Sequence, residues 1–257
     1  MFGDDFMLEI KNLFVKTADD NTKILNDFNI NIKKGEIHAL MGPNGTGKST
    51  LSKVIFNSNK YKKEKGNIIF LGEDITNLKT DEIARKGIFL SNQLPPEIDG
   101  VTTADFLRTI INTNKDVSLL DYIKKIEKTS KELKMDDKMI HRSINKGFSG
   151  GEKKKNEILQ MKMLEPKFII LDEIDSGLDV DSLRIVCENV NDYLNNHKDT
   201  SVLIITHYPR ILEYIKPDYV HVMTDGKIQK TGTYELALEI EKEGYKNYIN
   251  SANNINE

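Results

Sequence analysis

Gly42-Pro43-Asn44-Gly45-Thr46-Gly47-Lys48-Ser49-Thr50 is the stretch that decides the fold of this 257-residue chain. It follows a short apolar run, Ile37 to Met41, that is typical of a buried strand. It precedes a run with helical spacing, Thr50 to Phe56. A strand, a glycine-rich loop and a helix in this order are the context that a phosphate-binding loop of the form GxxxxGK[ST] requires. We therefore predict that Gly42 to Thr50 binds the phosphates of a nucleotide through converging backbone N–H groups and the helix N-terminus.

Lys48 and Ser49 have separate roles in this prediction. The ammonium group of Lys48 is expected to bridge the β- and γ-phosphates, and the hydroxyl of Ser49 is expected to bind Mg²⁺. The sequence thus predicts ATP and Mg²⁺ as ligands. An ordinary glycine-rich turn is the alternative, and the flanking strand and helix patterns argue against it.

A second pattern, Phe168-Ile-Ile-Leu-Asp172-Glu173, joins an apolar run to two acids. The run is typical of a buried strand, and open α/β sheets bind ligands at the carboxyl ends of such strands. Asp172 is therefore a candidate for the Mg²⁺ shell, and Glu173 for the base that takes a proton from the attacking water. The plainer alternative is that the two acids merely end a strand and begin a turn. The upstream phosphate loop favours the catalytic interpretation.

Further motifs carry a family resemblance over essentially the whole chain. The sequence resembles the nucleotide-binding domain of ABC ATPases. The motifs that carry this resemblance are the phosphate loop, the acid pair, Gln93, Phe148–Glu152, Ser176–Asp179 and His207. The resemblance implies an α/β fold with a P-loop RecA-like core, an antiparallel β subdomain and a helical subdomain. It implies catalytic roles for Glu173, His207 and Gln93, with Gln93 also near the metal. It extends the nucleotide-binding set to Ser149, Gly150, Gly151 and Asp179.

The residues around Ser149 support pairing of two copies. Ser149 and Glu152 have the spacing of a capping box ahead of a helix that continues through Met163, which is a sufficient structural reason for both. Gly150 and Gly151 are poor helix formers, however, and their small size fits a phosphate of another molecule approaching the backbone. A two-fold pair would then complete two sites at once. An isolated chain is expected to bind ATP but to hydrolyse it slowly.

Three motif positions have alternatives or departures. His207 follows directly after the apolar run Val202 to Thr206. The alternative to a catalytic role is that His207 makes only structural hydrogen bonds, as is common for a histidine at the end of a strand. Gln93 precedes Leu94-Pro-Pro96, and the alternative there is a solvent-exposed glutamine without a functional role. The aromatic residue that ABC domains place against adenine is expected near Thr17 and is missing there. The sequence therefore predicts modest base selectivity.

Longer stretches narrow the resemblance within the family. The segments from Gly147 to Ile158, from Ile174 to Asp179 and from Thr206 to Val222 closely resemble the SufC group, the ATPases of the Suf iron–sulfur cluster assembly system. This resemblance implies SufB-like and SufD-like partners that hold iron and sulfur while this subunit drives their rearrangement. The chain has one cysteine, Cys187, and a cluster normally needs about four thiolates. We place Cys187 on the buried face of a helix.

The composition excludes several classes of protein. Lys and Arg total 37 against 40 Asp and Glu, so the net charge is −3 and no basic stripe for nucleic acid emerges. No apolar stretch approaches the ~18 residues of a membrane span, so we expect no direct membrane insertion. A single cysteine rules out a disulfide framework and indicates a reducing compartment.

The apolar pattern predicts two regions. Residues 1–94 and 165–257 are expected to form the catalytic core, and residues 95–164 a helical subdomain that carries the Ser149 motif. The first residues show no transit or signal pattern, and the polar tail 251–257 is expected to be loose. Abundant Asn, Lys and Ile suggest an A+T-rich genome. We therefore expect a plastid location, such as an apicoplast, if a leader has been removed, and a cytoplasmic one otherwise.

Three functions remain open from the sequence. The favoured one is an ATPase subunit for iron–sulfur cluster assembly. The second is the ATPase of an importer or exporter, with a membrane partner docked on residues 95–147. The third is a scaffold that binds nucleotide without hydrolysis, which the intact Lys48, Asp172, Glu173 and His207 argue against.

Overall fold

The structure is a computed structural model, and it describes residues 5–114 and 117–249. Contacts divide the chain into two compact units. The first comprises Met1–Leu90, Lys167–Glu173 and Lys198–Glu257, and the second comprises Ser91–Pro166 and Ile174–His197. The predictions for the first four residues and for the tail 251–257 lie outside the described residues.

Strands and helices alternate along much of the chain. In chain order they are β1 (Phe6–Thr17), β2 (Lys23–Lys33), β3 (Ile37–Met41), α1 (Lys48–Ile55), β4 (Tyr61–Phe70), β5 (Glu73–Asp74), α2 (Thr80–Arg85), β6 (Ile88–Ser91), β7 (Ile98–Thr102), α3 (Thr103–Asn114), α4 (Leu119–Glu132), a 3₁₀ turn (Met139–His141), β8 (Ser143–Ile144), α5 (Gly150–Leu164), β9 (Phe168–Asp172), α6 (Val180–Asn196), β10 (Ser201–Ile205), α7 (Arg210–Tyr214), β11 (Tyr219–Thr224), β12 (Lys227–Gly232), α8 (Tyr234–Glu243) and α9 (Lys246–Ile249).

A mostly parallel sheet forms the centre of the first unit. Within the described residues its strand order is β12-β11-β3-β10-β9-β6. Three neighbouring strands, β3, β10 and β9, are apolar runs buried almost throughout, as expected for parallel strands covered on both faces. Their register places Leu40 beside Ile205, and Ile205 beside Asp172. The carboxyl ends of the strands that carry the two predicted motifs therefore lie at one sheet edge.

An antiparallel sheet of order β2-β1-β4-β5 completes the first unit, as the predicted β subdomain requires. Side chains from β1 and β2, such as Leu8 and Phe28, pack in one apolar cluster with Leu51 of α1 and Phe168 of β9. The helix that follows the phosphate loop is thus held by apolar contacts with both sheets.

The second unit is predominantly helical. Along α3 the spacing of apolar residues brings Leu107 into the interior, and along α4 it buries Tyr122 and Ile126. The contact units differ from the predicted boundaries by a few residues at 91–94 and 165–166, and chiefly because residues 174–197 group with the second unit. The reason is the packing of α6 on α5, where the amine of Lys162 donates to Asn189 Oδ1 at 2.9 Å. No helix in the described part of the chain is long and apolar enough to cross a membrane.

Cys187 is buried on α6, as predicted. Burial raises the pKa of its thiol to about 12, with smaller contributions in the same direction from nearby Asp175 and Glu188. A thiol with such a high pKa remains protonated at neutral pH and is a poor nucleophile and metal ligand. Cys187 therefore has the properties of a small core residue.

Two buried histidines join β3 to β11. His38 Nδ1 lies 2.9 Å from His221 Nε2, His221 Nδ1 lies 2.8 Å from the hydroxyl of Thr231, and His38 Nε2 lies 3.0 Å from Glu36 Oε2. Burial lowers the pKa of His38, and burial together with the neighbouring His38 lowers that of His221 to about 3. The ring of His221 therefore stays uncharged in the folded protein at neutral and mildly acidic pH.

This pair makes stability depend on pH in a defined direction. The unfolded chain takes up a proton on His221 below about pH 6.5, whereas the folded chain does not until about pH 3. The free energy of unfolding should therefore fall on acidification, by up to about 1.4 kcal/mol per pH unit for this one group. Urea denaturation of the wild type and of His221→Gln between pH 7 and pH 5 measures the slope. The variant should have the shallower slope, and the exposed His141→Gln should retain that of the wild type.

Candidate active site

The phosphate loop runs from the end of β3 to the start of α1. Gly45 and Gly47 have φ angles of 81° and 99°, in the left-handed region that favours glycine. At Gly42 the constraint is space, since a Cβ there would lie 2.1 Å from the carbonyl oxygen of Met223. The tight turn that the sequence predicts is therefore present, and α1 begins at Lys48 with its first N–H groups at the loop.

Lys48 is folded back onto this loop. Its Nζ donates hydrogen bonds to the carbonyl oxygens of Gly42 at 2.8 Å and Pro43 at 2.7 Å. Burial lowers the pKa of the ammonium group to about 8, although Glu173 and Asp172 act in the opposite direction. The hydrogen bonds to two neutral carbonyls thus offset part of the cost of burying the Lys48 cation. Phosphate oxygens would stabilise the cation more strongly because they carry negative charge.

Asp172 accepts two hydroxyl hydrogen bonds from α1. Ser49 Oγ donates to Oδ1 at 3.1 Å, and Ser52 Oγ donates to Oδ2 at 2.8 Å. Burial raises the pKa of Asp172. Hydroxyl and carboxylate oxygens are the ligands that Mg²⁺ prefers, so this donor set fits the predicted metal. Ser52 was not among the predicted site residues, although its hydroxyl lies one helical turn beyond that of Ser49 in the sequence.

Glu173 and His207 form the next contact at the same edge. His207 Nε2 lies 2.8 Å from Glu173 Oε1, and His207 Nδ1 lies 3.2 Å from the carbonyl oxygen of Gly42. The imidazole of His207 therefore joins Glu173 to the first residue of the phosphate loop.

The backbone of Glu173 is unusual. Its φ angle is 49°, and its N–H donates to the carbonyl oxygen of Ile205 at 2.9 Å. A left-handed conformation at a residue other than glycine costs on the order of 1–3 kcal/mol. Here it directs Glu173 toward His207 while Asp172, one residue earlier, binds α1. The structure thus brings Lys48, Asp172, Glu173 and His207 together around one loop.

Five of the predicted residues lie in the second unit, namely Gln93, Ser149, Gly150, Gly151 and Asp179. Ser149 caps α5 as predicted, because its Oγ accepts from Glu152 N at 3.3 Å and Glu152 Oε2 accepts from Ser149 N at 2.7 Å. Asp179 caps α6 by accepting from Ser182 N at 2.7 Å. Gly151 also has a reason for small size within the chain, since a Cβ there would lie 3.2 Å from Ser182 Oγ, whereas a Cβ on Gly150 would make only an ordinary contact at 3.5 Å with the carbonyl oxygen of Gly177.

Gln93 is exposed two residues after the end of β6. Thr50 is partly buried within α1, and the functional assignments of Gln93 and Thr50 stay predictions. At the end of β1 the hydroxyl of Thr17 donates to Asp20, and the ring of Phe14 lies 5.8 Å from Lys65 Nζ. Neither residue changes the prediction of modest base selectivity.

Comparison with known proteins identifies the class. The family described as ABC transporter matches residues 25–176, so this chain belongs to the ABC transporter ATP-binding family and is an ABC-type ATPase. The predicted fold is thereby confirmed. The chain is 50% identical to Vegetative protein 296 of Bacillus subtilis over 93% of this chain and 91% of that protein.

Two further kinds of relative support this assignment. The chain is 48% identical to a probable ATP-dependent transporter, ycf16, of Cyanophora paradoxa, over 93% of each protein. A nucleotide-free ATP-binding cassette from an ABC transporter has a TM-score of 0.73 at 27% identity, over 93% of this chain and 98% of that one. A dimeric bacterial ABC transporter cassette has a TM-score of 0.76 at 21% identity, over 89% and 99% respectively, and shows the shared fold.

The lowered pKa of Lys48 predicts how ATP affinity depends on pH. Bound phosphates stabilise the ammonium form, so above about pH 8 binding requires uptake of a proton by Lys48. The affinity should therefore fall above pH 8, by up to about tenfold per pH unit. Calorimetry in buffers of different ionisation enthalpy, from pH 7 to pH 9.5, measures both the affinity and the proton uptake. Lys34→Gln, an exposed charge control, should retain the dependence. An affinity independent of pH over this range would contradict the prediction.

Proposed function

We propose that this chain is the ATPase subunit of a SufB-like and SufD-like scaffold that assembles iron–sulfur clusters. The observation that carries the enzymatic part is the convergence of Lys48, Asp172, Glu173 and His207 on the phosphate loop. The assignment to cluster assembly is supported by the three long stretches that resemble the SufC group. The single cysteine is buried, so iron and sulfur would be held by the partners.

Each residue of the cluster has a distinct task in hydrolysis. Lys48 leaves the loop carbonyls for phosphate oxygens, and the loop N–H groups orient the β- and γ-phosphates. Ser49 and Asp172 would hold Mg²⁺, which when bound neutralises charge on the phosphates. Glu173 accepts the proton of the attacking water once His207 turns from it toward the γ-phosphate. The Glu173–His207 contact would thus be a resting arrangement.

Self-pairing completes the proposed site. The solved dimer of a bacterial ABC transporter cassette is a precedent for two copies facing each other. In this chain Ser149, Gly150 and Gly151 present a capped helix start, at which the helix dipole favours an anion. We propose that this start binds the nucleotide held by a second copy. ATP would then drive pairing, and pairing would rearrange the bound scaffold.

The second unit offers a surface for the scaffold. Leu94 is 85% exposed, Leu120 is 69% exposed, and Leu119 and Ile123 lie on the same helix as Leu120. Large apolar side chains left in solvent often mark protein interaction sites. We propose that SufB-like and SufD-like proteins cover this surface. The setting would be a plastid if a leader has been removed, and the cytoplasm otherwise.

A transporter ATPase is the second candidate. Several relatives carry transporter names, including a probable ABC transporter ATP-binding protein of Streptococcus pyogenes that is 49% identical. In that case the same exposed leucines would contact an integral membrane protein. The identity of the partner is what separates the two candidates.

Glu173→Gln tests the catalytic assignment. Glutamine retains the shape but cannot accept the proton, so ATP hydrolysis should slow by about 10²–10⁴-fold, the usual contribution of a general base. ATP binding should be unchanged, and ATP-dependent dimers should accumulate. Phosphate release and sedimentation at several protein concentrations measure these effects. Glu213→Gln, an exposed position on α7, should behave as the wild type. Unchanged turnover in Glu173→Gln would remove this residue from the mechanism.

Co-purification tests the partner. The tagged chain, captured from the soluble and membrane fractions of its native source, should bring down soluble proteins that bind iron–sulfur clusters. Leu120→Asp should reduce this capture, because a charge would be buried at the contact. Leu238→Asp, at a half-exposed position of the first unit, should not reduce it. Capture of an integral membrane protein instead would favour the transporter function.

A further inference from the structure

The hydroxyl of Tyr245 is buried without a partner next to the phosphate loop. Tyr245 lies between α8 and α9, and its hydroxyl oxygen is enclosed with no hydrogen-bond partner of ordinary geometry. Among the buried and half-buried residues described in the first unit, no other enclosed side-chain nitrogen or oxygen lacks a partner. A buried hydroxyl that forms no hydrogen bond costs free energy, so its presence beside a candidate active site calls for a physical reason.

Contacts within the first unit hold the C-terminal segment at the start of the loop. The hydroxyl of Thr224, at the end of β11, donates to the carbonyl oxygen of Tyr248 at 3.1 Å. The preceding residue, Met223, lies so close to the loop that a Cβ on Gly42 would be 2.1 Å from the Met223 carbonyl oxygen. The N–H of Tyr248 donates to the carbonyl oxygen of Tyr245 at 3.0 Å. Tyr245 is therefore fixed one turn before a residue that is anchored beside Gly42.

Gly42 is the loop residue that the hydroxyl of Tyr245 faces. Burial raises the pKa of Tyr245, whereas the backbone of Gly42 lowers it. A backbone group acts on a phenol in this way only when the two lie near hydrogen-bond distance. The hydroxyl thus lies beside the first residue of the loop, while its proton has no acceptor in the described part of the chain.

The carbonyl oxygen of Gly42 already binds two side chains. Lys48 Nζ donates to it at 2.8 Å, and His207 Nδ1 lies 3.2 Å from it. A carbonyl oxygen has two lone pairs, so these two contacts fill its capacity. In the proposed mechanism both side chains move away when ATP binds, because Lys48 turns to phosphate oxygens and His207 to the γ-phosphate. The Gly42 carbonyl then loses both of its partners.

We propose that Tyr245 is a positioning residue whose hydroxyl donates to the Gly42 carbonyl when ATP draws Lys48 and His207 away. The new hydrogen bond satisfies an unpaired hydroxyl and an unpaired carbonyl together, so it favours the ATP-bound state. The inference rests on the proposed function, in which Lys48 and His207 turn to the phosphates. It adds the C-terminal segment to the groups that hold the phosphate loop during hydrolysis.

The test is Tyr245→Phe in the full chain. Phenylalanine retains the ring and removes only the hydroxyl. Because the nucleotide-free protein loses an unpaired polar group, the urea midpoint of the variant should equal or exceed that of the wild type. Tyr248→Phe, in the same segment, is the matched control. Its hydroxyl donates to Glu239 of α8 at 2.6 Å, so its removal should leave nucleotide affinity unchanged.

Nucleotide affinity is the decisive measurement. The probe is AMP-PNP, an ATP analogue that is not hydrolysed, titrated with Mg²⁺ in a calorimeter. Tyr245→Phe should bind it about threefold to tenfold more weakly than the wild type, the usual effect of one hydrogen bond. ADP lacks the γ-phosphate, so His207 keeps its contact with Gly42 and the loss of ADP affinity should be smaller. An AMP-PNP affinity equal to that of the wild type would overturn the proposal.

The outcomes separate the inference from the function on which it rests. If AMP-PNP does not bind the wild type, the proposed function fails and the inference fails with it. If AMP-PNP binds the wild type and Tyr245→Phe equally well, the inference alone is overturned. A urea midpoint of Tyr245→Phe below that of the wild type would show that the hydroxyl stabilises the nucleotide-free protein, which also overturns the inference. Equal losses of AMP-PNP and ADP affinity would overturn the exchange with His207 on which it depends.

Discussion

The parallel register of β3, β10 and β9 is the constraint on which the site depends. Leu40, Ile205 and Asp172 lie side by side, so three strands end at one edge of the sheet. Everything that follows those strand ends is thereby brought together, namely the phosphate loop, Glu173 and His207. The strands themselves are apolar and buried, and their alignment follows from backbone hydrogen bonding and packing. A slip of one residue would turn Asp172 to the other face of the sheet.

Buried charge is the second theme of the site. Lys48 and Asp172 each lie in a place where burial opposes ionisation, and hydrogen bonds within the chain offset part of that cost for each. Such groups are held close to a change of state, because a ligand with negative oxygens and a divalent cation offers stronger partners than loop carbonyls and serine hydroxyls.

The second unit uses polar side chains for a different purpose. On α5 the buried side chains of Lys154 and Glu157 bind the backbone of Asn92, and Asn156 donates to Asn145, which in turn donates to the carbonyl oxygen of Pro96. The capping box at Ser149 and the N-cap at Asp179 determine where α5 and α6 begin. Function and stability overlap here, since the residues that resemble nucleotide-binding motifs also have complete structural roles within the chain.

The sequence by itself determined the phosphate loop, the strand before it, the helix after it and the acid pair, because each is a local pattern of glycine, charge or apolar spacing. It also predicted the capping box of Ser149 and the buried position of Cys187. Only the tertiary structure decided that Ser52 binds Asp172, that His207 contacts Glu173, that α6 packs with the helical unit, and that Lys154 and Glu157 hold Asn92. Those contacts join residues far apart along the chain or depend on a rotamer and a strand register, so no local spacing encodes them.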